Sequence, residues 1–334
     1  MKKVLVTGGN GFVGFALARY LLEQGLEVRV IGRNPYPHLS DLGIICFQGD
    51  ICNPASILNA TVDVDTVFHV AAKAGVWGRK QEYYSVNVQG TQNVLAGCLQ
   101  NRVPVLVYTS TPSVVFDGQD IKNGNEELPY ASKPLCHYAA SKIEAEKCVL
   151  GLRERSLKTC AIRPHLVWGP GDTHLIPRLV ERGRTGQLKK VGSGNNKVDI
   201  TYIENVVHAH VLAAKNLHQT GSADRQAFFI GQENPVVLWE WVNTLFQELN
   251  IPLVNKRVSY PVAYGVGGLL EGLFDLFSFA GEPKMTRFVA QQLSKSHWFN
   301  HDKAKKILGY TALVSTAAGL ERLLQSMREQ PVSR

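Results

Sequence analysis

Short apolar runs alternate with segments of helical period over the first half of this chain, and this alternation restricts its fold more than any other feature. The runs that have the length and flanks of buried strands occupy residues 3–7, 27–31, 44–48, 66–70, 105–109 and 159–162. Helical spacing of apolar residues fills several of the intervals, at residues 12–24, 84–100 and 138–151. Buried strands that are separated by helices predict a parallel sheet with helices packed on both faces.

The alternation weakens after residue 163, where turn clusters at residues 169–171 and 192–196 interrupt it. A length of 334 residues leaves room for about two structural units. We therefore predict a doubly wound α/β domain over residues 1–163 and a smaller C-terminal lobe over residues 164–330. A helical pattern at 203–217 and a strand pattern at 227–230 indicate that this lobe returns elements to the sheet.

The composition excludes a disordered chain and gives no reason to expect a nucleic-acid partner. Hydrophobic residues make up 45% and charged residues 19% of the sequence, which is ample material for a core. The net charge of +8 permits anionic partners, but the basic residues are scattered instead of forming a dense stripe. The six cysteines lack C-x-x-C pairs and zinc spacing, so we expect reduced thiols and no metal site. No signal-peptide pattern follows Met1, and a cytoplasmic location is therefore expected.

Residues 259–281 form a strongly apolar segment that carries Glu271 and Asp275. These two carboxylates share one face of a helix. The opposite face is an apolar stripe made of Val266, Leu269, Leu270, Leu273, Phe274 and Phe277. The pattern predicts an amphipathic helix, not a membrane span, with its carboxylates in water. Such a helix could cover a pocket, pack on a partner or lie on a membrane surface, and ordinary core packing also stays open.

A glycine-rich loop joins the first predicted strand to the first predicted helix. Gly8, Gly11 and Gly14 have the spacing G-x-x-G-x-x-G, and Phe12 and Val13 lie at the start of the helix. In such loops the first glycine permits a tight turn, the second lets the backbone approach a pyrophosphate, and the third lets helix and strand pack closely. The helix N-terminus adds N–H donors and the positive end of its dipole. The strand–loop–helix context predicts that residues 1–163 bind a dinucleotide.

The end of the second predicted strand indicates which dinucleotide binds. An acidic residue there would accept a hydrogen bond from the adenosine ribose and favour NAD, but this chain has Arg33 nearby and no carboxylate. A guanidinium can pair with a 2′-phosphate, so NADP(H) is the preferred cofactor and NAD(H) stays open. Asp50 and Ile51 follow the third strand. Asp50 could accept a hydrogen bond from the adenine amino group, or it could only cap a turn.

Tyr138 and Lys142 lie four residues apart in a predicted helix and therefore share a face. A nearby ammonium stabilises a phenolate, which makes the tyrosine a better proton carrier near neutral pH. Residues 109–111, Thr-Ser-Thr, supply hydroxyl groups at the end of the fifth strand. Together with the glycine loop, these groups predict hydride-transfer chemistry.

This combination resembles the extended short-chain dehydrogenase/reductase family, and the likeness covers nearly the whole chain. The further segments that carry it are residues 86–91 (V-N-V-Q-G-T), 163–172 (R-P-H-L-V-W-G-P-G-D) and 202–207 (Y-I-E-N-V-V). The resemblance implies that Tyr138 is the acid/base, that Lys142 is its electrostatic partner and a ligand of the nicotinamide ribose, and that Asn87 supports them.

The resemblance also implies the rest of the site. Thr111 takes the position that a serine usually holds in the family, and Ser110 or Ser113 could share its role. The implied cofactor contacts, besides the glycine loop, Arg33, Asp50 and Ile51, are Ala71, Ala72, Lys73, Tyr138, Lys142 and Pro164. The implied substrate contacts are Thr111, Ser113, Trp77 and His165.

Within the family, the chain is similar to the 3β-hydroxysteroid dehydrogenase-like branch. Residues 120–124, 128–131 and 204–208 resemble decarboxylating sterol-4-carboxylate 3-dehydrogenases, whereas residues 71–78 and 110–114 resemble bacterial 2-alkyl-3-oxoalkanoate reductases of long-chain olefin synthesis. The likeness implies NADPH-dependent reduction of a long-chain 2-alkyl-3-oxoalkanoate to the 2-alkyl-3-hydroxyalkanoate.

Three alternatives stay open. The first is an NAD(P)-dependent 3β-hydroxysteroid or sterol-4-carboxylate 3-dehydrogenase, and the second is a nucleotide-sugar epimerase or dehydratase that would use Arg178 and Arg182 for a second pyrophosphate. The third is a dinucleotide sensor without catalysis. The expected partners are a large apolar carboxylate substrate, a second copy of the chain in a homodimer, other olefin-pathway enzymes and, peripherally, a membrane.

Overall fold

The computed structural model of the protein describes residues 1–277, 279 and 281–329. In chain order, its strands are β1 (Lys3–Thr7), β2 (Glu27–Gly32), β3 (Ile45–Gln48), β4 (Thr66–His69), β5 (Val105–Thr109), β6 (Ile121–Gly124), β7 (Lys158–Pro164), β8 (Val167–Trp168), β9 (Lys190–Val191), β10 (Lys197–Val198), β11 (Thr201–Tyr202), β12 (Gln226–Ile230), β13 (Val236–Val237), β14 (Arg257–Val258) and β15 (His297–Phe299).

The helices cover most of the remaining described chain. They are α1 (Phe12–Glu23), α2 (Pro37–Asp41), α3 (Pro54–Ala60), α4 (Lys80–Tyr83), α5 (Gly90–Gln100), α6 (His137–Leu150), α7 (Leu175–Arg184), α8 (Ile203–Gln219), α9 (Leu238–Glu248), α10 (Tyr260–Phe277), α11 (Arg287–Ser294), α12 (Asp302–Leu308) and α13 (Thr316–Glu329). A π-helix at Tyr84–Gln89 links α4 to α5, and a 3₁₀ turn at Pro112–Val114 follows β5.

A seven-stranded sheet in the order β12-β7-β5-β4-β1-β2-β3 is the centre of the fold, and all of its pairings are parallel. The chain runs outwards from β1 to β3 on one side and then crosses back to continue from β4 on the other side. The strand order therefore reverses between β1 and β4, and ligands of such sheets bind at that point, beyond the carboxyl ends of the strands. The predicted Rossmann-type doubly wound sheet is confirmed.

Helices cover both faces of this sheet, as the buried strands require. On one face α1 and α8 bury Leu17, Leu21, Val206 and Leu217 against the strands. On the other face α3, α5 and α6 bury a second apolar cluster that includes Ile57, Val94 and Val149. Full burial of each such side chain contributes about 1.5–3 kcal/mol to folding, so these two layers hold the sheet in place.

The smaller lobe exchanges elements with the sheet in both directions. Strand β12 and helix α8 come from the second half of the chain, yet they belong to the central sheet and its cover. Strand β6 comes from the first half, yet it pairs with β15 in a four-stranded sheet of the lobe. An aromatic core supports the lobe, with the rings of Trp168 and Trp241 5.3 Å apart. Lobe and sheet are thus tied together by exchanged elements and not only by one linker at residue 163.

Helix α10 forms where the apolar segment predicts it. Four residues of its predicted stripe are exposed, whereas Leu270 and Phe274 are half-buried; the exposed ones are Val266, Leu269, Leu273 and Phe277. Among its side chains only Ala263 and Gly267 are buried. A Cβ atom on Gly267 would lie 2.7 Å from the carbonyl carbon of Thr286, so the helix meets the start of α11 by its small residues. The exposed part of the stripe is thus not covered by the described residues of this chain, and the predicted placement of both carboxylates in water holds only for Asp275.

Glu271 departs from the prediction that it lies in water. Its carboxylate accepts hydrogen bonds from the Arg287 backbone N–H at 2.7 Å and from the Arg287 Nε–H at 2.6 Å. Glu271 thus faces α11, and only Asp275 is exposed as expected. No helix in the described part of the chain is long and apolar enough to cross a bilayer.

Candidate active site

A cleft of about 1180 Å³ opens at the carboxyl ends of the sheet strands, where the strand order reverses. Nearly all of the site residues predicted from the sequence line it: Gly8, Gly11, Phe12, Val13, Gly14, Arg33, Asp50, Ile51, Ala71, Ala72, Lys73, Thr111, Ser113, Tyr138, Lys142, Pro164 and His165. Asn87 and Trp77 are the two that do not. The fold thus brings residues from the whole first half of the chain to one edge of the sheet.

The glycine loop has the geometry that its spacing predicts. Gly8 has a φ of +69°, a conformation that favours glycine. A Cβ atom on Gly14 would lie 2.1 Å from the Gly8 carbonyl oxygen, so no side chain fits where α1 meets the loop. Gly11 precedes α1 without a side-chain cap, and the first N–H groups of a helix have no partner within it. These donors lie at the cleft, and the loop therefore fits the pyrophosphate of a dinucleotide.

The opposite rim of the dinucleotide half carries Arg33 and Asp50. Arg33 is exposed and lies on the cleft after β2, where it is available to a phosphate. Asp50 accepts a hydrogen bond from the Cys52 backbone N–H at 2.9 Å, so its carboxylate caps the turn after β3. Asp50 also lines the cleft. Its position is therefore compatible with both predicted roles, the cap of a turn and the acceptor of a hydrogen bond from the adenine amino group.

Asn87 lies behind the cleft and positions the residues that line it. Its side chain accepts a hydrogen bond from the Lys73 backbone N–H at 2.7 Å and donates to the Lys73 carbonyl at 3.1 Å and to Ser141 Oγ at 2.9 Å. It sits in the π-helix at Tyr84–Gln89, an irregularity that is frequent at functional sites. Asn87 therefore connects the loop after β4 to α6, and we describe it as a positioning residue.

Tyr138 and Lys142 occupy consecutive turns of α6 at the inner end of the cleft. Burial raises the pKa of Tyr138 to about 12, and the nearby Thr111 hydroxyl opposes that rise. The phenol is therefore protonated at neutral pH. The Nζ of Lys142 donates to the Thr109 carbonyl at 2.6 Å and lies 4.1 Å from the centre of the Tyr108 ring. Burial lowers the pKa of Lys142 itself to about 7.

Three hydroxyl groups follow β5 on the cleft wall. Thr111 Oγ1 donates to Ser113 Oγ at 3.2 Å and accepts from the Ser113 backbone N–H at 3.2 Å, which caps the 3₁₀ turn. Ser110 Oγ is buried and has no hydrogen-bond partner among the described residues. Of the three, Thr111 is the one whose hydroxyl lowers the pKa of Tyr138, against the rise that burial causes. A carbonyl oxygen could therefore be held between Thr111 and Tyr138.

His165 extends the polar wall through a second histidine. Its Nε2 lies 2.6 Å from Nδ1 of His297, whose Nε2 lies 2.9 Å from the Gln292 carbonyl. A carbonyl only accepts hydrogen bonds, so His297 carries its proton on Nε2 and His165 donates from Nε2. Burial and the neighbouring ring hold the pKa of His165 well below its usual value. His165 is therefore neutral, and its remaining ring nitrogen is an acceptor.

Two sequence-based expectations are not met by the geometry. Gly75 and Gly78 have φ values of +118° and +136°, and the turns they make place Val76 on the cleft while Trp77 packs edge-on against Phe274 at 6.2 Å. Trp77 therefore belongs to the outer wall. Arg178 forms an ion pair with Glu282 at 3.1 Å, and neither Arg178 nor Arg182 lines the cleft.

The structure also adds cleft residues that sequence reasoning missed. Helix α11 contributes Phe288, Val289 and Gln292, and the segment that leads into α7 contributes His174 and Leu175. None of them lies in a motif. The α11 residues reach the cleft because β15, which follows α11, pairs with β6, whereas His174 and Leu175 reach it from the segment after β8. No local pattern could have assigned them.

Comparisons with known proteins identify the family of this chain. The profile of the 3-beta hydroxysteroid dehydrogenase/isomerase family matches residues 5–262. A Shewanella oneidensis protein named 2-alkyl-3-oxoalkanoate reductase is 46% identical over 330 residues, which cover 96% of this chain and 85% of that protein. A Mus musculus protein named sterol-4-alpha-carboxylate 3-dehydrogenase, decarboxylating, is 37% identical over 97% of this chain and 91% of its own.

A solved structure shares the fold and holds a dinucleotide. MoeE5 in complex with UDP-glucose and NAD has a TM-score of 0.75 at 26% identity and covers 98% of this chain and 99% of its own. The matched family profile extends from β1 into α10 and so includes the glycine loop, Tyr138 and Lys142. The chain therefore belongs to the 3-beta hydroxysteroid dehydrogenase/isomerase family and is an NAD(P)-dependent oxidoreductase that acts on hydroxyl or keto groups.

Proposed function

We propose that this protein is an NADPH-dependent reductase that converts a long-chain 2-alkyl-3-oxoalkanoate to the 2-alkyl-3-hydroxyalkanoate, as a step of long-chain olefin biosynthesis. The proposal rests on the observation that Tyr138 and Thr111 share one cleft with an apolar wall. Phe288, Val76 and Val289 line the same cleft and pack in one cluster with the segment that follows Thr111. This cleft would accommodate the keto group at Tyr138 and Thr111 and a long alkyl chain along the apolar wall. The name of the Shewanella oneidensis relative supports this substrate class.

The residues at the inner end of the cleft suit a reduction. When bound, the nicotinamide supplies the hydride that is added to the ketone carbon. Tyr138 is a protonated phenol at neutral pH, because its pKa is about 12, and it would donate its proton to the ketone oxygen. Thr111 would orient that oxygen, and Lys142 would hold the nicotinamide ribose. Proton donation of this kind typically accelerates a reaction by about 10²–10⁴-fold.

The preference for NADPH is part of the proposal and rests on Arg33. Arg33 is exposed, lies on the cleft after β2 and forms no ion pair with a carboxylate among the described residues. A charge-assisted contact with a 2′-phosphate contributes roughly 1.5–3 kcal/mol, so Arg33→Ala should weaken NADPH binding by about 10–150-fold and leave NADH binding nearly unchanged. Titration of protein fluorescence with each cofactor measures both. Equal affinity of the wild type for the two cofactors would contradict the role of Arg33.

The substrate is best tested in the oxidative direction, because 3-hydroxy acids are stable whereas 3-oxo acids lose CO₂. The purified enzyme is given NADP⁺ with long-chain 2-alkyl-3-hydroxyalkanoates, a 3β-hydroxysterol, a sterol-4-carboxylate or a UDP-sugar, and reduced cofactor is followed by absorbance. We expect kcat/KM to be highest for the 2-alkyl-3-hydroxyalkanoates. A preference for a sterol-4-carboxylate would favour the activity named for the Mus musculus relative. Epimerisation or dehydration of a UDP-sugar returns the hydride and leaves no reduced cofactor, so the sugar products are separated by chromatography. Conversion of the UDP-sugar would contradict both, and no conversion of any substrate would favour a cofactor sensor.

A homodimer, association with other olefin-pathway enzymes and a cytoplasmic location stay predictions from the sequence. Each can be measured on the purified protein or in its cells without reference to the substrate.

A further inference from the structure

An exposed apolar stripe runs along the whole of α10. The stripe is made of five exposed residues that follow one another at intervals of four and three positions: Val262, Val266, Leu269, Leu273 and Leu276. Leu269 and Leu276 are 65% and 75% exposed. At this spacing all five lie on one face of the helix. Contiguous apolar surface of this kind marks an interaction site in a natural protein.

The charges around this stripe indicate which partner fits. Strand β14, just before α10, pairs with β9 and sets Arg257 beside Lys190. Lys189 and Lys256 adjoin these two residues in the sequence. None of these four basic residues forms an ion pair within the part of the chain that the structure describes. An apolar helix face with uncompensated basic groups at its end is the composition of a surface that binds anionic lipid.

The flanks of the stripe disfavour a second copy of the chain as its partner. Helix pairs in water use charged residues beside the apolar seam to fix register and partner choice. Here the neighbouring positions include Gly265 and Gly272, where an added Cβ would meet no atom within 4 Å. Asp275 is the exposed charge that α10 offers. Lipid chains need neither register nor ion pairs, whereas a folded partner does.

The inner side of α10 leads to the cleft. Gly267 packs on the start of α11, and α11 supplies Phe288 and Val289 to the cleft wall. Phe274 packs on Trp77, next to the cleft residues Gly75 and Val76. A surface that binds the outer side of α10 is therefore separated from the apolar part of the cleft by one layer of helix and loop.

We propose that the outward face of α10 lies in the interfacial region of an anionic membrane, with α10 parallel to the bilayer plane, and so places the apolar end of the cleft beside the lipid. The surface is defined by Val262, Val266, Leu269, Leu273 and Leu276 together with the basic residues at its N-terminal end. This partner goes beyond the proposed reaction and would serve any member of the family that takes its substrate from lipid.

Sedimentation with vesicles tests the proposal directly. The full chain is mixed with vesicles of equal parts phosphatidylglycerol and phosphatidylcholine, or of phosphatidylcholine alone. We expect binding to the anionic vesicles that weakens as salt is added. Leu269→Glu combined with Leu276→Glu should weaken this binding by at least about tenfold, since each removes an apolar side chain that the lipid would bury and adds a negative charge. Lys256→Ser with Arg257→Ser should weaken it mainly at low salt.

Leu313→Glu is the matched control, because Leu313 is 62% exposed and follows α12, away from the α10 stripe in the sequence. This variant should bind vesicles like the wild type. All variants should keep the wild-type melting temperature and the wild-type turnover of a short, water-soluble substrate; if the glutamates disturb folding, Leu269→Ser with Leu276→Ser replaces them.

Two outcomes would overturn the proposal. The first is wild-type protein that does not sediment with anionic vesicles, together with glutamate variants that convert a dimer to a monomer in light scattering; the stripe would then be an interface between copies. The second is vesicle binding that the α10 variants leave unchanged. Neither outcome depends on which substrate the enzyme reduces, so failure here and failure of the proposed function are distinguishable.

Discussion

Helices α1 and α10 both combine glycines with an apolar stripe, and they use them in opposite ways. In α1 the stripe faces the sheet, where Leu17, Ala18 and Leu21 are buried, and Gly14 faces the phosphate loop. In α10 the small residues Ala263 and Gly267 face the protein, and Leu269, Leu273 and Leu276 face outwards. An apolar stripe therefore shows which residues share a face, but it does not show that the protein itself covers that face. The contacts of the glycines decide between the two arrangements.

The inner end of the cleft should tolerate least change, and Tyr138→Phe is expected to have the largest effect. Removal of the phenol hydroxyl should lower kcat by about 10²–10⁴-fold, because the proton donor is lost. Cofactor affinity and the melting temperature should stay near those of the wild type. Steady-state kinetics with a cofactor titration measure both. A Tyr138→Phe variant that keeps near-normal kcat would show that another group donates the proton.

Lys142→Met should abolish activity and, separately, change how the free energy of unfolding depends on pH. In the folded protein the pKa of Lys142 is about 7, against 10.5 in the unfolded chain. Between these two values only the unfolded chain binds the proton, so the free energy of unfolding of the wild type rises with pH, by up to about 1.4 kcal/mol per pH unit. Below pH 7 the full cost of burying the charge is present. The variant lacks this dependence.

We therefore expect Lys142→Met to be inactive, to be more stable than the wild type at pH 7, and to lose that advantage progressively towards pH 10. Urea unfolding at several pH values measures the difference. If the two proteins show parallel stability profiles across this range, Lys142 is not held with a lowered pKa.

Gly14→Ala should damage the first of the two compared helices. The new methyl group would lie 2.1 Å from the Gly8 carbonyl oxygen, so the loop or the helix must move. Overpacking of this kind costs about 1–3 kcal/mol, and the displaced N–H groups should also weaken cofactor binding. Thermal unfolding and cofactor titration measure the two effects. Wild-type behaviour in both would mean that the loop adjusts without cost.

Gly272→Ala is the counterpart in α10 and should have the smallest effect, with the opposite sign. Its Cβ would meet no atom within 4 Å, so the substitution brings only the higher helix propensity of alanine. We expect the free energy of unfolding to rise by about 0.5–1 kcal/mol, measured by urea unfolding. A destabilised Gly272→Ala variant would indicate that a neighbour packs closely on this face of α10, and the contrast with α1 would fail.

Much of the site follows from the sequence, because its chemistry lies in short segments of the chain. The positive φ of Gly8 and the close approach at Gly14 follow from strand, loop and helix being contiguous. Tyr138 and Lys142 share a face because they lie four residues apart on one helix. Helix α8 and strand β12 also occur at the positions that their patterns predict. In these places the interacting groups are near neighbours in the chain.

Contacts between residues far apart in the sequence were decided by the tertiary structure alone. His165 meets His297 across 132 positions, and Asn87 meets Ser141 across 54, and neither pairing leaves a trace in any local period. The same holds for the α11 residues that close the cleft, for the turn that moves Trp77 out of it, and for the side on which α10 carries its leucines. Periodicity fixes which residues share a face, whereas the neighbour that a face meets depends on the whole path of the chain.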